Sequence, residues 1–110
     1  MQNTLRREVH QLNAEICQAL SDPSRILILY ELAEGSRNVG ELAENLSLSQ
    51  PTVSRHLKVL RDRGLVAAER DGTNIYYTLA DHRIIKALNL LREVLAHVLE
   101  QRTALVEELA

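Results

Sequence analysis

Residues 38–79 read NVGELAENLSLSQPTVSRHLKVLRDRGLVAAERDGTNIYYTL, a stretch whose apolar period changes along its length. Val39, Leu42, Ala43 and Leu46 recur at i, i+3, i+4 and i+7, the stripe of a short helix. Asn38, with Glu41 three residues on, resembles a capping box in which Asn replaces Ser or Thr. Ser47-Leu48-Ser49 leaves room only for a tight turn. Ser49 then caps a second helix, and Pro51 falls in its first turn, where a missing N–H costs nothing. Val53, Leu57 and Leu60 line the inner face of that helix, and Gly64 ends it. From 65 to 79 the period drops to two. Val66, Ala68, Ile75, Tyr77 and Leu79 alternate with Ala67, Glu69, Asn74, Tyr76 and Thr78, and Asp71-Gly72 sits between the two runs. Closed there by a type I′ turn, the hairpin pairs Ala68 with Ile75 and Val66 with Tyr77 on one face.

Upstream, Leu5, Val9, Leu12, Ile16 and Leu20 form a helical stripe over residues 5–20. Ser21-Asp22-Pro23 starts a second helix through Ile26, Leu27, Leu29, Tyr30, Leu32 and Ala33, which Gly35 stops. Its apolar residues lie on more than one side, so it is central. Downstream, Asp81 caps a last helix reaching to about residue 108. Ile84, Leu88, Leu91, Leu95, Val98, Leu105 and Leu109 keep a heptad spacing broken only by Arg102. A second stripe, Ile85, Ala96, Leu99 and Val106, runs beside it. About 28 residues at 1.5 Å each make a helix of ~42 Å, longer than a small domain covers. One stripe is therefore expected to face its own domain and the other a second subunit. The order is α-α-α-α-β-β-α: a mainly α chain with a small β-hairpin, a winged helix-turn-helix. It reads as a single domain, 1–110. Residues 1–20 and 81–110 are the dimerisation helices, 39–63 the helix-turn-helix and 65–79 the wing.

Composition fits this and excludes much else. The 110 residues include no Trp, no Phe and three Tyr, so the core is built from Leu, Ile, Val and Ala. No run of 18 apolar residues spans a membrane, the first residues lack a signal peptide's apolar stretch, and the single Cys suits a reducing cytoplasm. No phosphate-binding glycine loop, nucleophile elbow or H-E-x-x-H motif is present, and the four His are scattered, so no enzyme and no cofactor are expected.

The net charge of −2 conceals an uneven distribution. Within 50–63, Arg55, Lys58, Arg61 and Arg63 face only Asp62, a local +3, while Glu31, Glu34, Glu41 and Glu44 against Arg37 make 31–47 a local −3. A basic helix behind a three-residue turn is placed to neutralise phosphates, and its N-terminal end to reach base edges. The expected DNA-contact set is Ser49, Gln50, Pro51, Thr52, Ser54, Arg55, His56, Lys58 and Arg61, with Arg70, Gly72, Thr73 and Asn74 on the wing. Within that set, His56 reads as structural, flanking the buried stripe, with its ring bonded near the DNA backbone.

Two runs carry a resemblance. Ala19-Leu20-Ser21-Asp22-Pro23-Ser24-Arg25-Ile26-Leu27-Ile28-Leu29, and Leu48 to Val66 followed by Arg70 to Leu79, resemble the ArsR/SmtB family of bacterial repressors. The likeness covers roughly residues 12–100. It rests on Ser54-Arg55-His56-Leu57 together with the wing pattern from Gly72 to Tyr76-Tyr77-Thr78-Leu79. The resemblance implies a homodimer paired through the first and last helices, and a double-stranded DNA operator released by an inducer. Leu5, Val9, Leu12, Leu88, Leu91, Leu95 and Val98 are the expected seam.

The family's metal positions read differently here. Many members hold metal with Cys before the recognition helix, and Arg37-Asn38-Val39-Gly40-Glu41-Leu42 has none. Others bind it between paired last helices. Anchored on Asp81, this chain offers Arg83 and Val94 where imidazoles are needed, then His97. No metal is expected at either position, and the inducer is left unidentified. Cys17 is a possible sensor of thiol-reactive species, and His10, Cys17 and His97 a residual metal set. The rival reading is a dimeric interaction module that keeps the fold without reading DNA.

Overall fold

The computed structural model describes residues 2–110; Met1, the first position of the expected dimerisation segment 1–20, lies outside the described residues. Asp22 opens the central helix as the sequence leads one to expect. Its carboxylate accepts the Ser24 N–H at 2.8 Å, with Pro23 in the first turn. This helix, α2 (Pro23–Glu34), is preceded by α1 (Asn3–Leu12) and followed by α3 (Val39–Leu46) and α4 (Gln50–Asp62). A hairpin of β2 (Val66–Asp71) and β3 (Asn74–Leu79) comes next, then the 27-residue α5 (Arg83–Leu109).

Ile28 and Leu29 of α2, Leu42 of α3, and Val53, Leu57 and Leu60 of α4 are fully buried together. Val66, Leu79 and Leu88 close the cluster from the hairpin and α5. Burying side chains of this size contributes roughly 1.5–3 kcal/mol each, so this cluster holds the chain together. The Asn38–Glu41 capping box is present in full, with bonds of 2.8 and 3.0 Å.

Four features differ from the sequence reading. The helix expected over 5–20 is not continuous. After α1 it widens into a π-helical turn, Asn13–Cys17, closed by Gln18 N–H to the Asn13 carbonyl, and ends in a 3₁₀ turn, Ala19–Ser21. A third strand, β1 (Arg37–Asn38), pairs with β3 and gives the sheet the order β1-β3-β2. The hairpin register is Ala68↔Tyr77 and Val66↔Leu79, two residues from the expected pairing. The cause is the turn: the loop is Gly72-Thr73, and of its two residues only Gly72 has positive φ (64°). That is the requirement of a type II′ turn rather than type I′. Because the slip is two residues, each side chain keeps its face.

The fourth difference concerns Leu88. It is 4% exposed and packs into its own chain's core, so it is not part of a free seam. The root of α5 is pinned there. Tyr30 Oη donates to Asn89 Oδ1 at 2.7 Å, and the Arg92 guanidinium lies 5.4 Å from the Tyr30 ring centre. Beyond it the helix projects, and the molecule measures 60 Å along its longest axis. Its radius of gyration is 17.3 Å, where a compact chain of this length has about 13 Å.

Candidate nucleic-acid interface

The turn between α3 and α4 is built by backbone chemistry. Ser47 takes the left-handed conformation (φ 55°), and Leu48 N–H bonds to the Ala43 carbonyl at 3.0 Å, a Schellman-type stop. Ser49 then caps α4: its hydroxyl accepts the Thr52 N–H at 3.3 Å and donates to Thr52 Oγ1 at 2.8 Å. The far end stops the same way. Gly64 (φ 75°) lets Leu65 N–H reach the Leu60 carbonyl at 2.9 Å and Gly64 N–H the Arg61 carbonyl at 3.0 Å. Helix α4 is thus held rigidly at both ends, with Val53, Leu57 and Leu60 inward.

Its outer face presents Gln50, Pro51, Ser54, Arg55, Lys58 and Arg61, all exposed, while Thr52 is half-buried beside the cap. Lys58 Nζ pairs with Asp62 at 3.0 Å. An exposed pair of this kind is worth little, so the ammonium is free to exchange Asp62 for a phosphate. At the hairpin tip Arg70, Gly72, Thr73 and Asn74 are exposed. Arg61 of α4 and Arg70 of β2 line one small cleft with Ala68 and Ile75. Ser54, Lys58, Arg61 and Tyr77 line a larger one of about 470 Å³ between helix and hairpin. Helix and wing therefore present their cations on one continuous surface. Tyr77, absent from the expected contact set, lines this cleft because β3 turns that side chain toward α4.

His56 is structural, as its place beside the buried stripe implied, but its ring turns inward rather than toward the exposed face. It is 8% exposed and turned inward, three residues after Val53 and four before Leu60, a spacing that marks the inner arc. Its Nδ1 lies 3.3 Å from Arg25 Nη1 and its Nε2 4.0 Å from Asp22 Oδ1. Since a guanidinium only donates, Nδ1 is the acceptor and Nε2 carries the proton toward Asp22. His56 thus fixes the back of α4 to the start of α2. The Ser24 amide, with the Arg25 charge behind it, holds the Asp22 carboxyl below its ordinary pKa.

Cys17 is exposed, at the end of the π-helical turn. Among the described residues no three His, Cys, Asp or Glu side chains gather as metal ligands, so His10, Cys17 and His97 are not brought together within one protomer. Among them too, no helix is long and apolar enough to cross a membrane.

Comparison with known proteins adds to this geometry. Residues 22–68 match the family described as bacterial regulatory protein, arsR family. The HTH-type transcriptional regulator Rv0081 of Mycobacterium tuberculosis is 42% identical over 102 residues, 92% of this chain and 90% of that protein. Its crystal structure superposes with a TM-score of 0.77, covering 86% of this chain and 96% of that one. The HTH-type transcriptional repressor SmtB of the same species is 40% identical over 91 residues, 83% of this chain and 65% of that protein. A solution structure from Mycobacterium bovis, described as a homodimeric winged helix-turn-helix DNA-binding domain, is 31% identical, with a TM-score of 0.76 over 91% of this chain and 93% of that one.

Proposed function

This chain belongs to the ArsR family of bacterial transcriptional regulators, and from that premise we propose that it is a homodimeric repressor of a palindromic operator, acting in the cytoplasm and released by an inducer. The relatives' names describe regulators rather than enzymes. The observation that carries the reading is the outer face of α4, where Arg55, Lys58 and Arg61 are exposed beside the wing cation Arg70 on a chain of net charge −2. An acidic body with one basic face binds a polyanion in one orientation only.

In this reading the molecule is one winged helix-turn-helix domain, 1–110, with the helix-turn-helix at 39–63 and the wing at 65–79. Arg55, Lys58, Arg61 and Arg70 neutralise phosphates. Ser49, Gln50, Pro51, Thr52 and Ser54, at the N-terminal end of α4, meet base edges in the major groove. Gly72, Thr73 and Asn74 meet the flanking backbone or minor groove. His56 contributes from behind, by orientation rather than contact.

The dimer is supported by what the protomer leaves uncovered. Leu5, Val9 and Leu12 on α1, and Leu91 and Leu95 on α5, are each 44–60% exposed, with Val98 half-buried beside them. A second copy is the partner these segments fit, as in the homodimeric mycobacterial relative. A twofold axis then sets two α4 helices about one DNA turn apart, ~34 Å.

The inducer acts elsewhere than the family's two metal positions, whose residues do not fit a metal. Asp81 is held by its own neighbour: Arg83 donates to it from Nη2 at 2.6 Å and from Nε at 3.0 Å. That pairing depresses the Asp81 pKa to about 2 and sets a guanidinium where a metal cation would stand. Val94 offers no donor atom, and the Arg37–Leu42 segment has no thiolate. The test is a gel shift on DNA upstream of the protein's own coding sequence. The expected result is one retarded complex holding two protomers, unchanged by stoichiometric zinc, cadmium, nickel or arsenite. Absence of any sequence-preferring complex contradicts the reading.

A further inference from the structure

Arg63 is the one cation of the 50–63 segment that turns away from the exposed face of α4. Its side chain is 30% exposed and crosses to the π-helical turn of the N-terminal arm. There its Nη1 donates to the Ala14 carbonyl and, at 3.2 Å, to the Glu15 carbonyl, with Glu15 Oε2 at 3.7 Å.

The widened turn creates this acceptor. In an α-helix the Gln18 N–H would serve the Ala14 carbonyl; here it goes to Asn13 O at 3.0 Å, which frees Ala14 O for Arg63. A second arginine works on the other side of the same break. Arg25 donates from Nε to the Ala19 carbonyl at 2.6 Å and from Nη2 to the Gln18 carbonyl at 3.2 Å, while its Nη1 faces His56. The π-helical turn and the residues just after it are therefore bonded to α4 directly at its C-terminal end, through Arg63, and indirectly at its middle, through Arg25 and His56. The arm they belong to carries Leu5, Val9 and Leu12, the uncovered stripe of α1.

We infer that the π-helical turn Asn13–Cys17 is the joint through which the N-terminal arm sets the pose of the recognition helix, and that Arg63 is its positioning residue. This rests on the DNA-binding reading above. Both carbonyls and the Glu15 carboxylate converge on one nitrogen, Nη1, so the contact needs a cationic donor at that point, which an ammonium can also supply. Any displacement of the arm moves α4 relative to the wing, and DNA that fixes α4 must in return steady the turn, because coupling of this kind is reciprocal.

The test uses the full chain and a duplex that the wild-type protein selects from a random-sequence library. Failure of the wild type to select any duplex would sink the DNA-binding reading itself. Given a selected duplex, Arg63→Met should bind it about tenfold more weakly with an unchanged salt slope, and Arg63→Lys, which keeps a cationic donor for those acceptors, should recover most of the affinity. A slope lowered by about 2 per dimer would make Arg63 a phosphate contact. That result, no recovery in Arg63→Lys, or undiminished affinity in Arg63→Met overturns the inference. Hydrogen exchange in the wild type gives an independent reading. The Gln18 amide should exchange several-fold more slowly in the DNA complex than in free protein, and equal rates there would overturn the inference as well.

Discussion

Val53, Leu57 and Leu60 of α4 are at most 1% exposed, whereas Leu91 and Leu95, apolar residues of the same kind on α5, are 60% and 53% exposed. The helix-turn-helix and sheet complete themselves: each helix has a side-chain cap or a Schellman-type stop, and the apolar side chains of α2, α3 and α4 meet one another. The arms, α1 and the outer part of α5, have the same kind of stripe and, among the described residues, nothing set against it. The difference separates two jobs that one sequence pattern serves. On the proposed reading, a stripe that closes on its own chain fixes the DNA-facing surface, and a stripe left open would set how two such surfaces are spaced.

The comparison is broken most severely by a change in the closed half. Leu57→Ala removes a fully buried side chain and should cost about 2–5 kcal/mol of folding stability, seen as a lowered urea midpoint. Leu91→Glu should leave the helical content of the protomer intact, since that position already meets water. It should weaken dimerisation by about a hundredfold or more, because pairing would bury the carboxylate. Analytical ultracentrifugation at micromolar concentration checks it, and an unaltered dimer would remove α5 from the interface. Gly72→Val tests the wing. A β-branched residue resists the φ of 64° at the first loop position. DNA affinity should fall several-fold while the dimer persists, as gel shift and ultracentrifugation on one preparation would report.

The smallest effect expected is electrostatic. The Asp81 carboxyl titrates at about 2 because Arg83 binds its ionised form. A carboxyl whose pKa is depressed on folding adds stability above its unfolded value near 4, and loses that contribution as pH falls toward 2. Asp81→Asn should therefore flatten the stability profile between about pH 4 and 2. Thermal melts across that range measure it, with little change expected at pH 7 beyond the absence of that contribution.

Much of the closed half was legible because its signals are local. The Asn38–Glu41 pair, Ser49 before Pro51, and Gly64 after the Leu60 turn each act within a few residues. The hairpin register was not, since an Asp-Gly step serves two turn types and only the backbone angles of Gly72 and Thr73 decide between them. Strand β1 lay hidden under a helix cap: Asn38 both caps α3 and pairs with Tyr76. The inward turn of His56 was written in its spacing from Val53 and Leu60, but its partners, Asp22 and Arg25, lie about thirty residues away. Leu88 follows the same heptad as Leu91. Only the packing of α5 on α2 shows where self-burial ends and the open stripe begins. The π-helical turn had no local signature, since its freed carbonyl is met by Arg63, 49 residues on.

The most direct test of the central claim, that the exposed face of α4 reads DNA, is the salt dependence of binding by wild type and Arg55→Ala on the selected duplex. Arg55 lies on that face, outside the core and outside the Arg63 tether. The account predicts weaker binding at every salt concentration and a log–log slope shallower by about 2, because each protomer then neutralises one phosphate fewer. Equal affinity and equal slope in the two proteins would contradict it.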